Sequence, residues 1–186
     1  MPVAARGWQT DRMPMSSSEG KDWIRSHVAA LAERAPVSVL DIGPGVGTYA
    51  KLLAGLPIAR MTGVEAWEPY VATYRLREYY DEIIIGDARV VDLPEADVVI
   101  LGDIVEHMTR DEARELWRRC ASAGRQAVFL SIPIVHYPQD EIEGNPYEIH
   151  VEEDWSHERV LDSFEGIGAW WSGTEVGVYE RRLSAG

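Results

Sequence analysis

Residues 39–50 read Val39-Leu40-Asp41-Ile42-Gly43-Pro44-Gly45-Val46-Gly47-Thr48-Tyr49-Ala50, an apolar strand that runs into a glycine-dense turn and then into a helical pattern. Glycine lets backbone approach a ligand closely and take positive φ, so three glycines at alternate positions after a strand predict a tight loop folded against a ligand. Spacing narrows the choice of ligand. A dinucleotide fingerprint wants G-x-G-x-x-G, with the third glycine for helix packing and the helix N-terminus aimed at pyrophosphate. Here the run is G-x-G-x-G after Asp41, which departs from that pattern while still nominating a nucleoside-binding turn.

Outward from this loop, strand and helix alternate in the way that makes a parallel sheet with crossovers on both faces. A second strand, Ala59 to Val64, ends in Glu65, twenty-four residues past Asp41. An acid at the tip of a second strand can accept both hydroxyls of a ribose. A third strand, Glu82 to Ile85, ends in Gly86-Asp87-Ala88, and a fourth, Ala96 to Leu101, ends in Gly102-Asp103. The helix after it is well marked: Thr109-Arg110-Asp111-Glu112 has capping-box spacing, and Ala113, Leu116, Trp117 and Cys120 form its apolar stripe up to Gly124. Strand five is expected over Ala127–Ser131. After a long loop, residues 158–164 read as helical, and Ala169-Trp170-Trp171 with Val176-Gly177-Val178-Tyr179 flank a hairpin turn. An earlier amphipathic helix between Ser18 and Pro36 carries Trp23, Ile24, Val28 and Leu31, with His27 on the stripe as a histidine satisfied by a carbonyl. Residues 1–18 lack periodicity and read as a mobile segment ahead of one domain over 19–186.

Together these motifs resemble the class I S-adenosylmethionine-dependent methyltransferases, in their small single-domain form. The resemblance covers residues 37 to about 131 well and the remainder more loosely. It implies an α/β Rossmann-like three-layer sandwich, with a seven-stranded, mostly parallel sheet and an antiparallel C-terminal strand. It also implies S-adenosylmethionine as cofactor, with Asp41, Gly43, Gly45, Glu65, Ala66, Asp87, Ala88 and Asp103 in its pocket. Asp87 would take the adenine amino group, Ala88 backbone the ring, and the segment after strand four the methionine and the acceptor.

The chain has 186 residues, 46% of them hydrophobic, and a formal net charge of −13. Residues 137–165 hold ten acids against one base, Arg159. Nucleic-acid binding rests on basic surface that neutralises phosphate, so no nucleic-acid partner is expected. No apolar run approaches the roughly 18 residues of a membrane span, and the N-terminus lacks a signal-peptide core, so a cytoplasmic protein without a membrane partner is expected. A homodimer stays open. The single cysteine, Cys120, excludes an intrachain disulfide and a cysteine-rich zinc site.

Methyl transfer from a sulfonium is an in-line displacement, needing an acceptor held near the methyl carbon and a base where that acceptor loses a proton. His107, His136 and Asp103, at the ends of strands four and five, are the catalytic candidates. Asp103-x-x-Glu106-His107 places two acids and an imidazole within one helical turn. The pattern resembles the Glu-x-x-Glu-His of small-RNA 2′-O-methyltransferases and ubiquinone-pathway O-methyltransferases, which implies a divalent metal, magnesium, held by Asp103, Glu106 and His107 with a downstream histidine. Asp103 stands where those families carry Glu, and the downstream ligand is either His136 or His150. The loop 137–154, with Tyr137, Tyr147 and His150, suits a sugar or aromatic acceptor or else fills its own small core. The expected activity is O-methylation of a small polyhydroxy or phenolic molecule. Alternatives are N-methylation of an amine drawn in by Glu141, Glu143 and Glu148, and a non-catalytic S-adenosylmethionine-binding module.

Overall fold

Strand β1 (Val37–Ile42) is buried along almost its whole length, and its side chains divide between two cores: Val37 and Val39 face one, Leu40 and Ile42 the other. That is the pattern of a central parallel strand covered on both faces. The computed structural model describes residues 17–183. The expected mobile segment 1–18 falls, but for its last two residues, outside that range.

Seven strands form one sheet: β1, β2 (Ile58–Glu65), β3 (Glu82–Ile85), β4 (Ala96–Gly102), β5 (Gly124–Pro133), β6 (Ala169–Ser172) and β7 (Val176–Arg182). Their order is β3-β2-β1-β4-β5-β7-β6, with β1 to β5 parallel and β7 antiparallel to both of its neighbours. Helices α1 (Lys21–Ala32), α2 (Thr48–Leu52) and α3 (Glu68–Thr73) pack into one core, through Ile24, Val28, Tyr49, Leu53 and Val71. Helices α4 (Arg110–Ala123) and α5 (His157–Ser163) pack into the other, through Leu116, Trp117, Val160 and Phe164. The three-layer Rossmann-like architecture is therefore present, with the C-terminal hairpin closing the sheet.

Two local expectations need correction. Strand β5 spans ten residues, not five, because α4 passes straight into it at Gly124. His27 is satisfied by the buried Glu180 carboxylate at 2.8 Å, not by a carbonyl, because α1 lies across β7, where Glu180 points. Cys120 is fully buried on the α4 stripe, and burial lifts its thiol to about 12, which fits packing. Among the described residues no helix is long and apolar enough to cross a membrane.

Candidate active site

The chain leaves β1 toward β2 and β3, then returns to the other side of β1 as β4 and β5, so the strand order reverses between β1 and β4. Crevices at the carboxyl ends of strands open at such a switch point. Register brings the ends level: Ile42 pairs with Val64 and Leu101, Glu65 with Ile85, and Gly102 with Ser131. Above them lies a cavity of ≈ 540 Å³, bounded by the glycine loop, the ends of β2 to β5, the loop 137–150 and the β6–β7 turn. Gly43 has φ +67°, and a Cβ there would lie 2.0 Å from Ile104 Cδ1. Any side chain would both strain the backbone and collide with the far wall of the loop. At Gly102 a Cβ would lie 1.9 Å from the Tyr49 ring, which lines the cavity.

Gly43, Gly45, Glu65, Ala66, Asp87, Ala88 and Asp103 all line this cavity. Glu65 is held by two backbone donors: Trp67 N–H to Oε1 at 2.7 Å and Gly45 N–H to Oε2 at 3.2 Å. Burial raises its carboxyl to about 7 against the pull of those donors. Asp41 does not line the cavity. It is fully buried behind the loop, where Tyr80 O–H donates to Oδ2 at 2.5 Å, and burial raises it to about 7. Its position makes it a support for the glycine turn rather than a ligand contact. Trp67 also stays off the cavity wall. Asp87 reaches the wall already gripped by Arg89, whose Nε lies 3.0 Å from both carboxylate oxygens, whose Nη2 lies 2.6 Å from Oδ2 and whose Nη1 pairs with Glu112 at 2.8 Å.

At the opposite end, the chain turns at Asp103 with φ +56° and enters a short 3-10 helix, Val105–His107. Glu106 and His107 meet His150 of the long loop, the three offering ligand atoms within 4.8 Å of one another. Asp103 is not in that group. Its carboxylate is drawn sideways, accepting from Ser131 Oγ at 2.9 Å and from Lys21 Nζ at 3.4 Å, so the expected four-residue metal set contracts to Glu106, His107 and His150. Of the two downstream candidates, His150 lies in this group and His136 does not. His136 lies at the exposed cavity mouth, paired with Asp154 at 2.9 Å.

The chemistry of the trio follows from its partners. His107 Nδ1–H donates to the Ile149 carbonyl at 3.2 Å and His150 Nδ1–H to the Tyr137 carbonyl at 2.6 Å, since a carbonyl can only accept. Both rings therefore carry their lone pair on Nε2. Burial lowers His107 to about 4 and lowers His150 too, so both stay neutral near pH 7. Glu106 is buried with neither oxygen partnered among the described residues, and burial pushes its carboxyl well upward.

Several site residues carry no sequence signal. Lys21 comes from the first turn of α1, Ser131 from β5, and Tyr70 from α3, where its O–H donates to Glu148 Oε1 at 3.0 Å. Of the three acids proposed to attract an amine, Glu148 lines the cavity and Glu141 and Glu143 do not.

Residues 40–129 match the family model described as a methyltransferase domain. Among solved structures, the magnesium protoporphyrin IX methyltransferase of Synechocystis PCC 6803 with bound SAM aligns at TM-score 0.65 and 16% identity, over 89% of this chain and 79% of that one. The N-terminal domain of EvdMO1, in the presence of SAH and D-fucose, aligns at 0.64 and 16%, over 91% and 85%. The [4+2]-cyclase SpnF aligns at 0.67 and 15%, over 96% and 86%. At such identities the likeness is one of fold, and it spans proteins named for different reactions, so the site must argue the chemistry. No curated protein sequence matched significantly.

Proposed function

We propose that the protein, whose residues 40–129 match the methyltransferase-domain family model, transfers a methyl group from S-adenosylmethionine to an oxygen of a small polyhydroxy acceptor, a sugar being the first choice. The residues fit the cofactor. The glycine loop presents bare backbone at Gly43 to a cavity of ≈ 540 Å³, within the usual size of a small-molecule site. Glu65 holds two carboxylate oxygens at the tip of β2, each with lone pairs left for ribose hydroxyls.

The observation that carries oxygen as the acceptor atom is the trio at the other end: two neutral imidazoles with Nε2 exposed as acceptors, beside an unpartnered buried carboxyl. An acceptor hydroxyl attacking the methyl carbon in line with the departing thioether gains positive charge as the C–O bond forms. Its proton then becomes strongly acidic, so a neutral imidazole of modest basicity can take it. His107 Nε2 is the base we assign, and His150 and Glu106 orient the hydroxyl beside it. The aromatic and amide side chains Tyr137, Tyr147, Gln139 and Asn145 line the same end, a mixture suited to a sugar ring. D-fucose in the crystal of the EvdMO1 domain is consistent with that acceptor class.

As an alternative to the base role, the same trio fits a divalent metal, since the His107 Nε2 lone pair can ligate an ion or take a proton but not both. Two imidazoles with Nδ1–H tied to carbonyls are oriented as metal ligands are, and the unpartnered Glu106 carboxyl supplies the anionic donor. When bound, such an ion would act as a Lewis acid that lowers the pKa of a coordinated hydroxyl.

The test is transfer of an isotopic methyl group from S-adenosylmethionine to a panel of sugars, phenols and amines, with magnesium and again with chelator. Labelled sugar or phenol is the expected product, reduced at least ~100-fold by His107→Ala, as loss of a general base predicts. Product on amines alone would overturn the reading, and chelator-insensitive turnover would remove the metal from it.

A further inference from the structure

Six acids line the cavity, Glu65, Asp87, Asp103, Glu106, Glu148 and Glu175, and among the described lining residues the only lysine or arginine is Arg89. Their charges are met unequally. Asp87 is held by Arg89, and Asp103 by Lys21, which does not itself line the cavity. Glu175 is exposed to solvent, and Glu65 is assigned to the ribose. Glu106 and Glu148 are left. Glu106 is only 2% exposed, and neither of its carboxylate oxygens has a partner among the described residues. Glu148, on the loop 137–154, is held by neutral donors alone: Tyr70 O–H to Oε1 at 3.0 Å, Asn145 Nδ2 to Oε1 at 3.5 Å and Gln139 Nε2 to Oε2 at 3.3 Å. Such donors orient a carboxylate without cancelling its charge. The Glu148 charge also bears on Glu106 and on Glu65, so like charges crowd this side of the cavity. In a site of low dielectric, that arrangement favours a cation and repels an anion. A phosphorylated or carboxylated acceptor would meet only its own sign. A metal ion at Glu106, His107 and His150 would leave Glu148, which lies outside that trio, still without a counter-charge.

We propose that the acceptor is an amino sugar, its ammonium seated against the Glu148 carboxylate, with Glu106 as the second negative charge on that side, while a hydroxyl of the same ring takes the methyl group. The assignment rests on the oxygen-acceptor reading above and adds to it the charge of the acceptor and the residue that reads it. A charge-assisted hydrogen bond from an ammonium to an oriented carboxylate is stronger than a neutral one. It also decides the atom that reacts. An ammonium held by Glu148 keeps its proton and so has no lone pair with which to attack the methyl carbon. The hydroxyl attacks instead: its C–O bond forms as the C–S bond breaks, its proton leaves to His107 Nε2, and the ammonium is unchanged. An acidic acceptor end and methylation on oxygen are thereby compatible.

Steady-state methyl transfer by the full-length protein, with magnesium present, tests this on aminohexoses, the matching hexoses and the N-acetylated aminohexoses, with the methylated atom located by NMR. An aminohexose should be used with kcat/KM at least ~10-fold above both its hexose and its N-acetyl counterpart, and the methyl group should lie on oxygen. Glu148→Gln keeps an oxygen to accept from Tyr70 but removes the charge. It should lower that preference at least ~10-fold, while the dissociation constant of S-adenosylhomocysteine stays within about twofold of wild type. Equal use of the three sugar classes, a methyl group on nitrogen, or an unaltered preference in the variant would overturn the proposal. If Glu148→Gln does not fold, the selectivity of the wild type decides alone. Hexoses methylated without any aminohexose would strike the amino-sugar assignment and leave the oxygen reading standing, whereas methylation confined to nitrogen would bring down both. No product from any sugar overturns the assignment as well.

Discussion

Glu65 is a cavity-wall residue whose chemistry is sensitive to pH. Burial lifts its carboxyl from its ordinary value of 4.5 to about 7, with the Trp67 and Gly45 amides pulling the other way. Only the ionised form offers both oxygens as acceptors to ribose hydroxyls, so ligand binding favours loss of the proton. Below pH 7 the ligand must displace that proton, and affinity should fall by up to about tenfold per pH unit. Calorimetry between pH 5.5 and 8.5 should show the affinity for S-adenosylhomocysteine rising to a plateau above about pH 7.5, and Glu65→Gln should flatten the profile at weak affinity. A flat wild-type profile would remove Glu65 from the ribose. The role of Glu65 is legible in the sequence because it depends on position at a strand tip. Its perturbed acidity is not, because it arises from burial by residues distant in the chain.

Helix α4 shows what local sequence can settle. Thr109 Oγ1 accepts from the Glu112 amide while the Glu112 carboxylate accepts the Thr109 amide at 2.9 Å, closing the box that the Thr-x-x-Glu spacing predicts. Thr109→Ala should cost about 1 kcal/mol and lower the melting temperature by roughly 2–4 °C, read by thermal denaturation, with cofactor affinity within about twofold of wild type. The box is legible because both partners lie within one turn. The same Glu112 also holds Arg89, which holds Asp87 at the cavity wall. That second link joins α4 to the end of β3, and nothing in the spacing of residues 87, 89 and 112 announces it. Strand β5 fails in the opposite way: its extra length comes from pairing with β4 and β7, which supply hydrogen bonds beyond the apolar core segment Ala127–Ser131.

At the scale of the whole molecule, the site is assembled by docking the loop 137–154 across the strand ends. Val151 and Glu152 amides both donate to the Glu106 carbonyl, at 2.8 and 3.1 Å, and Tyr70 of α3 reaches Glu148 from the other side. Tyr70→Phe should loosen that docking and raise the acceptor KM several-fold, while kcat and the cofactor dissociation constant change by less than about twofold. Steady-state kinetics with calorimetry checks this, and a matching loss of cofactor affinity would assign Tyr70 to the nucleoside instead. The sequence by itself determined the alternation of strand and helix, the glycine turn, the acids at the strand tips and the cap of α4. Each is written in neighbouring residues, through side-chain periodicity, backbone freedom at glycine and short-range hydrogen bonds. Only the tertiary structure decided that Asp41 sits behind the turn, that His150 rather than His136 meets Glu106 and His107, and that Lys21 comes to lie beside Asp103. Those placements depend on chain packing over separations of 39 to 82 residues, where register, burial and charge pairing act and local pattern carries no record of them.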